Sequence, residues 1–227
     1  LMTCLLYIAI EPFIRRLHPN SLVSWSRLLA GRVSDPAVGR DVLVGLTLFV
    51  LQGLALAGLI AALGISRATL PVYAFASGET PLATTSYLAG VIRFPVVTLG
   101  STLGFLLIYV VARWMLGRFH RAAPLLLWAT VFFFIFGAYS RPGLEATAAV
   151  SYAVISATAS TYLAVRHGVL ALVTFQFLQQ ASIMTIFTLD PTAWYFPPTA
   201  IFLLIVVVMT IFGIRTSADR ELLPSRS

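Results

Sequence analysis

Lysine is absent from this 227-residue chain, which also contains a single cysteine and three histidines. Without lysine, the chain cannot carry the GK[ST] motif of a phosphate-binding P-loop. One cysteine, Cys4, cannot form an intrachain disulfide. The three histidines, His18, His120 and His167, lack the spacing of metal ligands on a helix, and there is no HExxH motif. We therefore predict neither a metal site nor a cofactor.

Charged residues of any kind are scarce. They make up 10% of the chain, against 59% hydrophobic residues, and the mean hydropathy is +0.93. These values lie far outside the range of soluble globular domains and indicate an integral membrane protein. The net charge of +7 comes from arginines that stand singly or in pairs between apolar runs. Without a continuous basic face, this charge favours a membrane surface as the partner, and we predict no binding to nucleic acid.

Six apolar segments have about the length that a helix needs to cross a hydrocarbon core of about 30 Å. They are Val42–Gly64, Val96–Leu116, Ala123–Ser140, Leu144–Val165, Gly168–Leu189 and Ala193–Ile214. Ahead of them lies an apolar stretch about half as long as a span, which we predict to end a truncated helix. The predicted fold is an all-α integral membrane protein, a polytopic helical bundle of six complete spans plus an N-terminal partial span.

This prediction divides the chain into four parts. Residues 1–11 end the truncated transmembrane helix, and residues 12–41 form a cytoplasmic, basic, interfacial elbow. Residues 42–214 form the six-helix transmembrane domain, and residues 215–227 form a cytoplasmic tail.

Arginine positions test the orientation, because short cytoplasmic loops keep their positive charge. With the elbow in the cytoplasm, alternating spans place 12 of the 15 arginines on the cytoplasmic side. Arg67, Arg93 and Arg141 fall outside. The C-terminus is then predicted to be cytoplasmic.

The elbow carries a third of the arginines. Within it, SLVSWSRLLAG has the apolar spacing of a short helix that lies on the membrane surface, and Gly31 can end that helix. Asp35 and Pro36 are typical as the N-cap and first residue of the next helix. Anionic lipid headgroups of the bilayer would attract each cation by about 1 kcal/mol. The predicted membrane-interface residues are Arg15, Arg16, Trp25, Arg27, Arg32 and Arg40.

Polar residues inside the spans are the candidates for a ligand site, because their burial in lipid is costly. Gln176, Gln179 and Gln180 project from one helix side by their i, i+3 and i+4 spacing. Two hypotheses stay open for them, hydrogen bonds between helices and a binding site for a ligand or an ion. Arg93 and Glu145 are further candidates, at an outward-facing polar mouth.

Small residues mark the fourth span. Ala149, Ala153 and Ala157 repeat at intervals of four residues, which lets neighbouring helices approach closely. We therefore predict that this span is the central helix of the bundle. The oligomeric state is left open, with a homo-oligomer as one alternative.

The stretch from Leu6 to Gly45 resembles a known family. It contains EP, a basic pair, SWSRLLAGR and DPAVGRD in this order, and it is similar to the membrane region of multi-pass bacterial serine/threonine protein kinases of the acidobacterial type. Downstream, the likeness is one of hydropathy. The matching residues are Glu11, Pro12, Arg15, Arg16, Ser24, Trp25, Arg27, Leu28, Leu29, Gly31, Arg32, Asp35, Pro36, Val38, Gly39, Arg40 and Asp41.

The resemblance implies a kinase domain upstream of this chain as its partner, and location in the bacterial cytoplasmic (inner) membrane. No catalytic residue can be assigned here, because lysine is absent and His120-Arg121-Ala122 lacks the aspartate of the kinase HRD motif. We therefore expect a non-catalytic membrane anchor and candidate sensor domain of a receptor-like kinase. The alternative is a small polytopic transporter or channel that uses the glutamine cluster.

Overall fold

A computed structural model describes residues 12–13, 23–63, 84–139, 146–185, 187–188, 190–193 and 196–218. These residues form helices joined by short connections, and no β-strand occurs among them. The expectation of an all-α fold is confirmed for this part of the chain. The predicted N-terminal partial span, residues 14–22 of the elbow and the tail beyond Ala218 lie outside the described residues.

Most of the predicted spans reappear as helices with ends shifted by a few residues. The helix Pro36–Leu63 begins earlier than predicted, inside the elbow, and the helix Thr84–Leu116 begins well before the predicted crossing segment. The helices are α1 (Val23–Leu29), α2 (Pro36–Leu63), α3 (Thr84–Leu116), the 3-10 segment Gly117–Ala122, α4 (Ala123–Tyr139), α5 (Ala146–Arg166), α6 (Val169–Ile183) and α7 (Phe196–Ala218).

Four helical stretches in the described chain are long and apolar enough to cross a bilayer. They are Pro36–Leu59, Tyr87–Gly137, Ala146–Arg166 and Phe196–Ala218. These helices are those of a membrane protein. The finer prediction of six complete spans is not confirmed, because α6 is a shorter apolar helix and one stretch contains two helices.

The 51-residue stretch Tyr87–Gly137 folds back on itself. The rings of Phe105 and Phe134 lie with their centroids 6.2 Å apart, whereas a straight helix would separate these residues by about 40 Å. The reversal occurs in the 3-10 segment, where Gly117 has a φ of +46°. This left-handed conformation favours glycine because it has no Cβ. α3 and α4 are therefore the antiparallel arms of a helical hairpin.

Contacts between helices give their relative directions. α6 runs parallel to α2, because Gly45 adjoins Ala171 and, further along both helices, Gln52 contacts Gln179. The short turn between α5 and α6 makes that pair antiparallel. Two more pairs are antiparallel by their contacts, α2 with α7 (Gly39–Thr216 and Leu43–Gly213) and α3 with α6 (Tyr87–Thr185 and Thr102–Gln176). Helices α2 to α7 thus alternate in direction.

This alternation collects arginines at one end of the bundle, which we call the arginine end. It is formed by the starts of α2, α4 and α6 and by the ends of α3, α5 and α7. Of the nine described arginines, Arg93 lies toward the other end, about 30 Å along α3 from Arg113. That separation matches the thickness of a hydrocarbon core. The arginines at or leading into the arginine end are Arg27, Arg32, Arg40, Arg113, Arg118, Arg121, Arg166 and Arg215.

α6 ends six residues before the predicted Leu189, a correction to that span. Near its end the Thr185 hydroxyl donates to the carbonyl oxygen of Ala181 at 2.8 Å, and such hydroxyls compete with helical backbone bonds. The 15-residue helix is about 22 Å long. In the loop that follows, hydrogen bonds from the hydroxyl and the backbone N–H of Thr192 lower the pKa of Asp190.

α6 is also the central helix. It contacts α1, α2, α3, α5 and α7, and nine of its 15 residues are buried. The expectation that α5 is central is therefore corrected. Ala149, Ala153 and Ala157 of α5 are buried as expected, but they form a face shared with neighbouring helices. Because α6 is too short to reach both membrane surfaces, longer helices can surround it.

Glycines allow α2 to approach both α6 and α7. A Cβ atom at Gly45 would lie 2.5 Å from the carbonyl oxygen of Ala171 and 2.9 Å from the Cβ of Thr174. A Cβ atom at Gly39 would lie 2.8 Å from the carbonyl oxygen of Gly213. Small residues at helix crossings in a bilayer bring backbones close enough for extensive van der Waals contact. These two crossings hold α2 against the rest of the bundle.

We expect Gly45→Ala to destabilise the bundle by about 1 to 3 kcal/mol, because the added methyl group has no space and must push α6 away. Gly53→Ala on the same helix is the matched control, since nothing lies within 4 Å of a Cβ added there. Thermal unfolding in detergent, followed by circular dichroism, should show a lower midpoint for Gly45→Ala alone. Equal midpoints for the two variants would contradict the close crossing.

Candidate functional site

The described part of the elbow consists of α1, a turn and the cap of α2. Gly31 adopts a φ of +76°, and the N–H of Arg32 donates to the carbonyl oxygen of Arg27 at 2.9 Å. This is the Schellman motif that ends many helices at glycine. Asp35 then accepts a hydrogen bond of 2.9 Å from the backbone N–H two residues further on, with Pro36 as the first residue of α2. The predicted helix end and helix start are confirmed.

Two side-chain contacts connect α1 to α2, and we call their four residues the elbow clamp. The Arg27 guanidinium donates from Nη1 to both carboxylate oxygens of Asp35, at 2.7 and 2.9 Å. The Ser24 hydroxyl donates to a carboxylate oxygen of Asp41 in the first turns of α2. Both members of this second pair are buried, Ser24 with 2% and Asp41 with 3% of its surface exposed. Breaking a buried pair leaves an unpaired polar group, which costs about 1 to 3 kcal/mol.

Trp25 lies between α1 and the bundle instead of only against lipid. It packs on a buried cluster of Val38, Val42 and Leu170, and thereby contacts both α2 and α6. Its indole N–H is buried and has no hydrogen-bond partner among the described residues. By contrast, Leu29 is 61% exposed. The predicted apolar face of α1 is thus divided, with Trp25 facing protein and Leu29 facing outward.

The predicted interface arginines differ in what surrounds them. Arg27 is committed to the elbow clamp, although 39% of its side chain stays exposed. Arg32 and Arg40 are exposed, and Arg40 places its Nε 3.7 Å from the carboxylate of Asp41. Arg15 and Arg16 lie outside the described residues. Arg32 and Arg40 are therefore the described elbow cations that are best placed to meet lipid headgroups.

A polar network joins α2, α5 and α6 about 15 Å from the arginine end. The side-chain amide of Gln179 lies within hydrogen-bond distance of the Gln52 side-chain oxygen at 3.2 Å, the Tyr152 hydroxyl at 3.3 Å and the Ser156 hydroxyl at 3.1 Å. The amide of Gln52 donates to the Ser156 hydroxyl at 2.9 Å. We call these four residues the glutamine network. It lies near the middle of the bundle, where unpaired polar groups are most costly.

Gln176 faces a different neighbour, α3. Its side-chain oxygen accepts hydrogen bonds from Ser101 at 2.5 Å and Thr102 at 3.2 Å. Its amide nitrogen is buried and has no partner in the part of the chain that the structure describes. Gln180 is half-buried and belongs to neither set of contacts. The three glutamines predicted to share one helix side therefore point to different neighbours.

Of the two residues predicted at the outward-facing polar mouth, Arg93 and Glu145, the structure describes Arg93. Arg93 is exposed on α3, toward the end of the bundle opposite the arginine end. Glu145 lies outside the described residues, as do Glu79 and Arg141. The structure therefore does not bring Arg93 together with Gln176 or Gln179, which lie deeper in the bundle.

Five partners of the glutamines were missed at the level of sequence. Gln52 carried a usable signal, because it is the one amide in the long apolar run of α2. Ser101, Thr102 and Ser156 carried no such signal, since serine and threonine hydroxyls in membrane helices commonly bond to their own backbone and are tolerated there. Tyr152 carried none either, because its partner Gln179 lies on another helix. Ser24 and Asp41 stood among the residues of the family resemblance, but their pairing was not predicted.

Comparisons with known proteins add no functional assignment, because no family model, curated protein or solved structure matches the chain. Within the described ranges, no group of three or more histidine, cysteine, aspartate or glutamate side chains could hold a metal ion. Among the described site residues, Gln176 and Gln179 form hydrogen bonds between helices, and Arg27 belongs to the elbow clamp. These contacts hold neighbouring helices in position, and they are the basis for the function proposed below.

Replacing Gln179 by leucine should destabilise the bundle by about 0.6 to 2 kcal/mol, because Gln52, Tyr152 and Ser156 lose a shared donor. Gln180→Leu is the matched control, one residue further along α6 and outside the glutamine network. Unfolding in mixed micelles with an increasing fraction of a denaturing detergent would measure the difference. If both variants unfolded at the same fraction of that detergent, the network would have no role in stability.

Proposed function

We propose that this chain is the non-catalytic membrane anchor and candidate sensor domain of a receptor-like bacterial serine/threonine protein kinase, whose catalytic domain would precede it. The observation that carries the proposal is the elbow clamp. The chain enters the bundle through α1, a helix that is held to the start of α2 by a buried hydrogen bond and an ion pair. Such a connection is suited to position a domain at the membrane surface.

The clamp also supports transmission of a signal. α1 contacts α2 through Ser24 and Asp41, and Trp25 extends the contact to Leu170 of α6. A shift of α2 against α6 would therefore move α1, because α1 packs against both helices. Interfaces between packed helices are known to relay small displacements of this kind.

The family resemblance and the clamp involve the same residues. Ser24 and Arg27 belong to SWSRLLAGR, and Asp35 and Asp41 belong to DPAVGRD. In the structure, the two motifs bond to each other, serine to one aspartate and arginine to the other. The spacing of the two motifs therefore has a structural reason, which supports the use of the resemblance.

We also propose six complete crossings, with the elbow and the C-terminus on the cytoplasmic side of a bacterial inner membrane. The alternating directions of α2 to α7 support six crossings, and eight of the nine described arginines at one end support the orientation. α6 would complete its crossing through the loop that follows it, because irregular backbone within a membrane is tolerated where protein surrounds it.

A transporter or channel is the alternative. The observation that favours it is the buried amide nitrogen of Gln176, which has no hydrogen-bond partner among the described residues. The other contacts support it less, because Gln179 and the oxygen of Gln176 are already committed to neighbouring helices. In proteoliposomes this alternative predicts an ion flux, detected with a voltage-sensitive dye, that is lost in Gln176→Leu while the folded bundle persists. Retained flux in that variant would remove Gln176 from the transport path.

Sequencing the native transcript upstream of Leu1 tests the anchor proposal directly. We expect a continuous reading frame that encodes a glycine-rich GxGxxG loop, a VAIK-like lysine and an HRDxxxxN catalytic loop. A stop codon followed by a start at or near Met2 would contradict the proposal and leave an independent membrane protein.

Ser24→Ala should release α1 from the bundle, because Asp41 would be left buried without its hydroxyl partner. Ser26→Ala is the matched control, since the Ser26 hydroxyl donates only locally, to the Val23 carbonyl oxygen at 3.0 Å. In a variant with Trp25 as its only tryptophan, release should shift the emission to longer wavelength and increase quenching by iodide. An unchanged spectrum in Ser24→Ala would show that this bond does not hold the elbow.

A further inference from the structure

A groove of about 280 Å³ runs between α4 and α5 on the outer surface of the bundle. Its walls are almost entirely apolar, with Leu125 and Trp128 from α4 facing Tyr162 and Val165 from α5. The indole N–H of Trp128 donates to the Thr158 hydroxyl at 3.0 Å, which closes the inner end of the groove. The groove spans from Thr158 to the last residue of α5, about 12 Å along the helix axis. It thus extends from the arginine end toward the middle of the bundle.

A single cation lies at the outer end of this groove. Arg166 is exposed, is the last residue of α5 and lines the groove. Tyr162 beside it is 48% exposed, and its ring lies 5.3 Å from the ring of His167. Tryptophan and tyrosine are typical of the level of the lipid headgroups, where an arginine would meet phosphate groups. The groove therefore combines apolar walls with a positive charge at the depth of the lipid headgroups.

We propose that the groove between α4 and α5 binds one phospholipid with an anionic headgroup. Its phosphate contacts the Arg166 guanidinium, and one acyl chain lies along Trp128 and Leu125. The apolar walls select a lipid chain, and the charge of Arg166 selects the headgroup. The site is separate from the elbow, whose cations lie on α1 and at the start of α2, and it does not depend on the proposed link to a kinase.

Native mass spectrometry of the full chain, released from micelles with equal amounts of phosphatidylglycerol and phosphatidylcholine, tests the headgroup preference. The wild-type protein should retain phosphatidylglycerol preferentially, and Arg166→Gln should reduce this preference about five-fold, the effect of one headgroup contact. Arg215→Gln is the matched control, because it removes the same charge from the same end of the bundle on α7. An equal loss in both variants, or no preference in the wild-type protein, would overturn the proposal.

The depth of the lipid is tested with Trp128 itself. In a variant that keeps Trp128 as its only tryptophan, phosphatidylglycerol brominated on its acyl chains should quench the fluorescence more strongly than brominated phosphatidylcholine. Arg166→Gln should abolish this difference. Equal quenching by the two lipids in the presence of Arg166 would contradict a site for the anionic headgroup.

Discussion

The close contact between α2 and α6 at Gly45 is the constraint on which much of the bundle depends. The two helices run parallel, so their approach at Gly45 persists two turns further on, where Gln52 meets Gln179. A larger residue at Gly45 would separate the backbones, and the two amides would then have to bond elsewhere or stay unpaired. In a bilayer no water is available to replace the lost partner. The packing of small residues and the pairing of polar ones are therefore a single requirement.

The position of α6 follows from its length. At about 22 Å it is shorter than the hydrocarbon core, so its ends would meet lipid if other helices did not surround it. The structure meets this need with side chains from its neighbours. Near the end of α6, the Tyr87 hydroxyl of α3 lies within hydrogen-bond distance of the Thr185 hydroxyl, at 3.1 Å. In the following segment, the Thr199 hydroxyl of α7 accepts the backbone N–H of Thr188 at 3.3 Å. Longer helices thus supply the partners that a short helix lacks.

Hydropathy and end signals were sufficient to predict the helices, because both act locally. Gly31 and Asp35 mark helix ends through backbone conformation and capping, and the structure agrees with both. The length of α6 was not predictable from its apolar run, since the competition of serine and threonine side chains for backbone bonds depends on their rotamers. The partners of Gln176 and Gln179 were not predictable either, because they come from helices distant in sequence. Spacing fixes which side of a helix a residue occupies, whereas tertiary packing decides what it meets.

At the arginine end, the arginines share a location but differ in what their side chains contact. The proposed cytoplasmic orientation would account for the accumulation of arginines at this end, but each arginine has a different neighbour. Arg27 has a carboxylate at 2.7 Å and becomes part of a clamp. Arg118 lies 4.9 Å from the ring of Phe119, where its charge interacts with an aromatic face. Arg166 has an apolar groove beside it and no described carboxylate bonded to it. The same charge thus holds the elbow, covers a turn or borders an apolar groove, according to the surface that packing places next to it.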